Sequence, residues 1–257
     1  MQPPDPEALG LRGRLQWRRS FMLTDEPGAA ARVDRAEEDL RLAVDRDPNN
    51  AEAAVTLAEL LYIRRARWDQ AYQFSVKAYE LDAYQDNWGQ IVNRIALSAF
   101  EMGEDSIAGR WCREGLRREP TSPMHHGCAL DVMAWGDGEP DPAAAWNHHD
   151  AISEFMGLEE HPHPFYGFAV AGALARAHMA DSARAVLERA KRALGPGEFP
   201  AAIWLEAGVR FRLGERRAGL RLYDQLVREY PDVAAMQVRR RVLRPFVNDR
   251  DVPSLPG

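Results

Sequence analysis

The sequence predicts an all-α protein, an α-solenoid of about six antiparallel helix hairpins closed by a C-terminal capping helix. Apolar residues recur every three or four positions along most of the 257 residues, which is the spacing of amphipathic helices. Signals that end a helix, prolines in most cases, recur near positions 48, 83, 120, 162, 196 and 231. Their period of roughly 34 residues is typical of arrays in which each helical hairpin packs only on its neighbours.

The clearest hairpin runs from Ala51 to Asp82. Before it stands the run Asp47-Pro48-Asn49-Asn50, where the proline ends the preceding helix and the polar residues cap the next one. A short turn at residues 65–67 joins two amphipathic helices, and small alanines on the second helix allow close approach to the first. The apolar positions that define the two helices are Val55, Leu57, Leu60, Leu61, Tyr62, Ala71, Phe74, Val76, Ala78 and Leu81.

This hairpin resembles the tetratricopeptide repeat. Ala58 stands where the signature of that repeat has glycine, Ala83 stands where it has the closing proline, and one residue is inserted in the turn. The resemblance implies a right-handed superhelix of stacked hairpins, and it covers nearly the whole chain, most weakly at 123–163. The residues that occupy signature positions are Leu57, Ala58, Leu61, Ala71 and Ala78, with Asp47-Pro48 closing the preceding unit.

The other hairpins repeat this pattern along the chain. Their helices are separated by turns that carry the glycine, proline and acidic residues that interrupt a helix. The unit at 123–163 is the most irregular, because its turn is long and rich in glycine and proline. The turns lie at 24–28, 65–67, 102–105, 136–142 and 213–215.

The two ends of the chain are predicted to lie outside the repeats. Residues 1–6 are expected to be disordered, residues 7–245 to form one helical repeat domain, and residues 246–257 to form an extended tail. A final helix over 233–243 caps the domain. Its arginines at 239–241 are expected to face solvent, as the polar end of a solenoid does, and an acidic partner is the alternative for the basic cluster at 237–244, QVRRRVLR.

Composition and charge exclude several classes of protein. The chain is 46% hydrophobic and 28% charged, as a folded protein is, and its formal net charge of -6 argues against a nucleic-acid partner. No apolar run of about 18 residues is present to span a membrane. The N-terminus lacks the basic and apolar regions of a secretory signal. We therefore expect a cytoplasmic protein, unless the chain is one piece of a larger, membrane-attached protein.

The two cysteines, Cys112 and Cys128, are too few for a disulfide framework. A free cysteine behaves as a small hydrophobe and is usually buried. We therefore expect both side chains to be buried in adjoining helices, in a reducing compartment or in a fold that is indifferent to redox conditions.

Seven histidines lie between residues 125 and 178 and raise the alternative of a metal-binding protein centred on 125–163. His125 and His126 are adjacent on a predicted helix and point about 100° apart, so His161 and His163 form the better pair. The leading expectation is nevertheless that no metal and no cofactor is bound. No zinc-binding cysteine pair, phosphate-binding loop or nucleophile elbow is present, and we expect no enzymatic activity.

Acidic residues along the helices are also expected to be structural. Glu37 and Glu38 precede Arg41 at helical spacings that favour solvent-exposed ion pairs. Such pairs give no ground for a catalytic assignment.

The resemblance also implies a binding face. In the tetratricopeptide family the first helix of each hairpin lines a concave groove that holds a peptide or a helix. The lysine and asparagine clamp of the chaperone-tail type is not matched, because Val55 and Glu59 stand at the corresponding positions. Some members of the face, Leu97 above all, are also of the kind that packs between repeats. The predicted face comprises Val55, Glu59, Tyr62, Asn93, Leu97, Phe100, Asp131, Trp135, Phe168, Arg176, Trp204, Phe211 and Arg212.

The leading hypothesis for function is a non-catalytic module that docks a segment of a partner protein, either as a free adaptor or as the accessory region of a signalling protein. The runs PDPAAAW and ADSARAVLERAKRAL are similar to the tetratricopeptide regions C-terminal to some bacterial serine/threonine kinases. The chain contains no kinase motif, so this resemblance implies the accessory region only. We expect a monomer or a weak homo-oligomer, and a self-associating array is a third alternative.

Overall fold

The computed structural model describes residues 5–22, 28–81, 87–157, 164–194 and 200–247. Within these ranges the chain forms thirteen α-helices and no β-strand, which confirms the predicted all-α class. The chain divides into two compact units, residues 1–102 and 103–257. The helices are α1 Pro6–Met22, α2 Ala29–Arg46, α3 Ala51–Leu60, α4 Trp68–Leu81, α5 Trp88–Met102, α6 Asp105–Arg118, α7 Pro123–Trp135, α8 Pro142–Phe155, α9 Pro164–Arg176, α10 Ala180–Leu194, α11 Pro200–Arg212, α12 Arg216–Glu229 and α13 Pro231–Gln237.

The first unit contains α1 to α5. Helix α1 packs on α2, α3 packs on α4, and α4 packs on α5, as successive hairpins do. The predicted cap of α3 is present, since the Asn50 side chain accepts a hydrogen bond from the Ala53 backbone N–H at 2.9 Å. The centre of the unit is filled by fully buried Leu40, Leu57 and Leu61 together with Trp17, whose ring is 2% exposed.

Helix α3 continues into a π-helical turn at Leu61–Arg65, which ends at Ala66 in the left-handed conformation. A π-turn is the usual way for a helix to accommodate one extra residue, and it lies where the sequence has an insertion relative to the repeat. The turn carries Arg65 to the Glu37 carboxylate at 2.8 Å, and Arg67 reaches the same group at 2.7 Å. Glu37 is 9% exposed, so the prediction of a solvent-exposed ion pair with Arg41 is wrong: the pair exists at 2.9 Å but its carboxylate is buried.

The second unit contains α6 to α13. Helices α7 and α8, α9 and α10, and α11 and α12 pack as hairpins, and α13 packs on α12. Helix α9 also contacts both α7 and α11, so the first helices of three successive hairpins lie side by side. This stack of first helices is the surface on which the candidate site residues of the second unit lie.

The C-terminal part of this unit differs from the prediction. Helix α13 ends at Gln237, six residues before the predicted end, and the chain continues in hydrogen-bonded turns to Val247. Phe246 and Val247 belong to these turns and not to an extended tail, since both backbone N–H groups donate to the Leu243 carbonyl, at 2.9 and 3.3 Å. Residues 248–257 lie outside the described residues.

The N-terminal prediction also changes in part. Pro6 was predicted to be disordered, but it is the first residue of α1, where its fixed φ angle suits a helix. Residues 1–4 lie outside the described part of the chain. A single domain over 7–245 stays a prediction.

The two cysteines are buried in neighbouring helices, as predicted, with Cys112 on α6 and Cys128 on α7. The expectation that they are unlinked is wrong, because they form a disulfide with an S–S distance of 2.01 Å. A framework needs many cysteines, but a single bridge needs only two that packing brings within reach, here with their Cα atoms 5.7 Å apart. The bridge removes the basis on which a reducing compartment was expected.

None of the helices in the described part of the chain combines the length and the apolar character that crossing a membrane requires.

Candidate polypeptide-binding surface

Residues Val238–Val247, here called the C-terminal segment, lie against the stacked first helices of the second unit. The Phe246 ring stacks on Phe211 of α11, with ring centroids 4.9 Å apart and planes 9° from parallel. The guanidinium group of Arg212 donates to the backbone carbonyl of Val242 at 3.0 Å and to that of Arg241 at 3.4 Å. The segment is therefore held by an aromatic contact and by recognition of its main chain.

The Trp135 ring lies at the centre of this surface and is 3% exposed. Glycine at position 172 of α9 leaves room for it, because a Cβ atom there would lie 2.6 Å from the ring. Glycine at position 208 of α11 does the same for the C-terminal segment, since a Cβ atom would lie 2.4 Å from Val242 Cγ1. The Arg212 guanidinium lies over the Trp135 ring at 4.8 Å, within the range of a cation–π contact. Two glycines thus shape the surface for a ring and a segment.

A pair of carboxylates binds the one buried arginine of the segment. Arg241 donates to Asp105, the first residue of α6, and to Asp137, in the turn after α7. The Asp137 backbone N–H donates to Asp105 Oδ2 at 2.5 Å and holds the two acidic residues together. The Arg241 side chain is 4% exposed, so the prediction that this arginine faces solvent is wrong. A buried guanidinium is tolerated only when it is paired, and the two carboxylates supply that pairing.

Two further arginines border the segment. Arg176 of α9 donates to the backbone carbonyls of Met133 and Gly138. Burial lowers the pKa of Arg212, and the nearby charges of Arg176 and Arg241 lower it further. Arginine remains protonated at neutral pH even so. The surface itself therefore carries two guanidinium groups, those of Arg176 and Arg212, beside the two carboxylates, and Arg212 binds carbonyl oxygens of the segment.

The first unit presents its predicted face differently. The Arg94 guanidinium lies 4.3 Å from the centroid of the Tyr62 ring, and the Trp17 indole N–H donates to Glu59 at 3.1 Å. Tyr62 is 6% exposed. Other members of the predicted face here are half-buried and so retain accessible surface: Val55, Glu59, Asn93 and Leu97.

Three solved structures are similar to this arrangement of helices. A tetratricopeptide repeat protein from Parabacteroides merdae aligns with a TM-score of 0.57 at 13% identity, over 94% of this chain and 96% of that chain. Acl4, an assembly chaperone of RpL4, aligns with a TM-score of 0.55 at 16% identity over 91% and 94%. PilW, a type IV pilus biogenesis factor, aligns with a TM-score of 0.54 at 13% identity over 85% and 94%.

The chain has the tetratricopeptide-repeat fold. This confirms the resemblance that the hairpin at 51–82 indicated. No protein-family model and no curated protein matches the sequence. At these identities the similarity establishes the tetratricopeptide-repeat fold and nothing further about activity or partner.

The predicted face residues of the second unit take three different positions in the tetratricopeptide-repeat fold. Trp135, Arg176, Phe211 and Arg212 meet around the C-terminal segment. Phe168 and, in the first unit, Phe100 are buried in the interior, with 0% and 3% of their surface exposed. Asp131 lies one turn before Trp135, and Trp204 lies one turn before Gly208, where it packs in a small cluster with Ile203, Leu226 and Ala234.

Five residues of the surface were missed by the sequence prediction. The glycines within α9 and α11 gave a usable signal, because a glycine inside a helix often marks a close approach by another group. The two carboxylates gave none, since acidic residues are common along the whole chain, whereas Arg241 lies in the basic cluster for which an acidic partner was the alternative. The missed residues are Asp105, Asp137, Gly172, Gly208 and Arg241.

The histidines do not form a metal centre in the described ranges, where no group of three or more His, Cys, Asp or Glu side chains is placed to hold an ion. His125 is fully buried. His126 Nε2 lies 2.8 Å from the Pro120 carbonyl, which can only accept, so His126 Nδ1 accepts from His148 Nδ1 at 2.8 Å. Burial and then the neighbouring His126 lower the pKa of His148. His161 and His163 lie outside the described residues.

Proposed function

We propose that this chain is a non-catalytic interaction module that binds a segment of a partner protein on the first helices of its hairpins. The observation that carries the proposal is that the second unit already holds a polypeptide segment there. Arg212 binds two backbone carbonyls of that segment, and Phe211 stacks on its aromatic ring. Main-chain hydrogen bonds and an aromatic anchor are the usual means by which a groove recognises a peptide.

The comparisons support the same role. PilW is named as a type IV pilus biogenesis factor and Acl4 as an assembly chaperone of RpL4. A role as a free adaptor, or as the accessory region of a signalling protein, is consistent with such a module. We assign the first unit to the same function, because Val55, Glu59, Asn93 and Leu97 keep accessible surface on its first helices.

The test compares substitutions on the first helices with matched substitutions on the second helices. The face variant combines Asn93→Arg on α5 with Trp204→Ala on α11. The control variant combines Gln73→Arg on α4 with Leu222→Ala on α12; Leu222 packs in the same cluster as Trp204. Both variants add one positive charge and remove one half-buried apolar side chain.

Each variant is used to capture partners from a lysate of the source organism, after circular dichroism has shown wild-type helicity. We expect the control to retain the wild-type partners and the face variant to lose them by about ten-fold or more, as truncation of interface anchors does. Equal recovery by both variants would show that the first helices do not bind the partner, and the proposal would fail.

A further inference from the structure

The C-terminal segment occupies the surface that the proposed function assigns to a partner. It buries Val242 against Gly208, Phe246 against Phe211, and Arg241 between two carboxylates. Because the segment belongs to the same chain, it competes at a high effective concentration with any segment from another molecule. A partner that uses this surface has to displace it.

We propose that the C-terminal segment is an internal competitor, and that the partner which displaces it is a basic segment with an arginine for the Asp105–Asp137 pair and an aromatic ring for Phe211. This inference rests on the proposed function and names the chemistry of the partner for the second unit.

The carboxylate pair selects arginine. Asp105 and Asp137 come from different parts of the chain and bind the two terminal nitrogens of one guanidinium. The planar fork of arginine can donate to both at once, whereas the single ammonium group of lysine cannot match that geometry. The electrostatic preference of this part of the surface is therefore for a positively charged segment with arginine at one defined position.

The remaining contacts fix the spacing between the arginine and the aromatic ring of the partner, and they tolerate variation in the residues between these two anchors. Arg212 recognises backbone carbonyls, which every peptide offers, and its guanidinium also lies 5.1 Å from the centroid of the Phe246 ring. Phe211 requires a ring, and in the segment that ring follows the arginine by five residues, Arg241 to Phe246. We expect the partner to carry the same pair of anchors at a similar spacing, with little restriction on the residues between them.

The surface does not depend on the segment for its own assembly. Helix α9 contacts α7 on one side and α11 on the other, and the disulfide ties α6 to α7. When the segment leaves, the hairpins keep these contacts, and the side chains of Trp135 and Phe211 become accessible. Displacement therefore exposes an apolar site with an acidic pair at its edge, which is the complement of the proposed partner.

The test uses a fluorescent peptide with the sequence of residues 237–248 and the full-length chain. We expect weak binding to the wild type, and binding about ten-fold tighter or more to an Arg241→Ala, Phe246→Ala double variant whose own segment no longer competes. Fluorescence anisotropy measures both affinities. A peptide with Arg241→Ala is expected to lose about ten-fold in affinity, while a control peptide with Arg239→Ala, an exposed position, binds as the parent does.

A second full-length variant keeps the test decisive if the double variant does not fold. Arg241→Lys in the full-length chain keeps the positive charge but reaches only one carboxylate, and we expect it to raise the affinity of the peptide by a smaller factor. Equal peptide binding by all three chains, or equal binding of the Arg241→Ala and Arg239→Ala peptides, would overturn the inference. If the capture experiment succeeds while the peptide fails, the proposed function stands and only this inference is lost.

Light scattering tests the remaining alternative, in which the C-terminal segment binds a second copy of the chain. A wild-type chain that doubles in mass with concentration, and that returns to a monomer on Arg241→Ala substitution, would place the segment on a second copy of the chain. That result would overturn the proposal of a different partner. A monomeric wild type together with peptide binding that depends on Arg241 is the result we expect.

Discussion

The first helices of the two units carry the same kinds of side chain but use them differently. In the first unit, Glu59 and Asn93 remain half-buried and keep accessible surface. In the second unit, Trp135 and Phe211 are buried in a surface that the C-terminal segment occupies. Residue type and helix position therefore determine which side chains lie on a face. Whether a segment covers that face depends on residues far away in the sequence.

Buried charge is also handled differently in the two units. In the first unit one carboxylate, Glu37, accepts from Arg41, Arg65 and Arg67. In the second unit two carboxylates, Asp105 and Asp137, share one guanidinium. The first arrangement ties α2 to the π-turn of the next hairpin, and the second ties a displaceable segment to the surface. Pairing between arginine and carboxylate groups therefore fixes helices in the first unit and holds an exchangeable segment in the second.

Removal of the disulfide is expected to have the largest effect and to be confined to the second unit. Cys112 and Cys128 are separated by 16 residues, and a cross-link over such a loop contributes about 3 kcal/mol to stability. We expect a Cys112→Ser, Cys128→Ser variant to show faster backbone hydrogen exchange in α6 and α7. Peptides from α1 to α4 serve as the internal control, and equal acceleration in both units would contradict the comparison.

Substitution of Gly208 by alanine is expected to loosen the C-terminal segment. The first helices of the second unit would then be accessible, as those of the first unit are. The added Cβ would lie 2.4 Å from Val242 Cγ1, so the C-terminal segment has to shift, at a cost of about 2 kcal/mol. Limited proteolysis within residues 238–247 measures the release. Gly10→Ala is the matched control, because Gly10 also lies inside a helix and a Cβ there meets its nearest atom at 3.4 Å, an ordinary contact distance. Equal cleavage of the two variants would show that the segment is not held at Gly208.

The helices were predictable from local signals, whereas the C-terminal end of α13 was not. Pro48 and Asn50 end one helix and cap the next through neighbouring backbone groups, so the boundary near residue 50 could be predicted. The end of α13 at Gln237 could not, because the following turns are stabilised by contacts with residues far away in the sequence. Arg241, for example, binds Asp105, which lies 136 residues earlier.

The candidate surface was predictable only in its side-chain types. The resemblance to the tetratricopeptide repeat assigned Trp135 and Arg212 to one face, and their side chains do meet. The disulfide and the carboxylate pair were missed, since both depend on how α6 packs against α7 and its turn. Sequence periodicity carries no information about which distant residues such packing brings together.

The smallest of the three effects on stability is expected at Glu37 in the first unit, and it depends on pH. Burial raises the pKa of Glu37, but hydrogen bonds from Arg41 and Arg65 and the charge of Arg67 outweigh it, so its pKa lies below the ordinary value of 4.5. A lowered folded-state pKa stabilises the fold above the unfolded-state value, and the stabilisation is lost as the pH falls through the folded-state value. We expect Glu37→Gln to cost about 1.5 kcal/mol at pH 7.

Urea unfolding of wild type and Glu37→Gln, followed from pH 7 to pH 3, tests this assignment. The difference in unfolding free energy is expected to persist down to the ordinary pKa of 4.5 and to shrink below it, because protonated glutamate and glutamine are then equivalent. Glu38→Gln is the matched control, since Glu38 is exposed on the same helix, and we expect it to cost less stability at pH 7 than Glu37→Gln. A difference at Glu37 that stayed constant across this range would mean that shape, and not charge, makes the residue important. The contrast between a rigid ion cluster in the first unit and an exchangeable one in the second would then have to be abandoned.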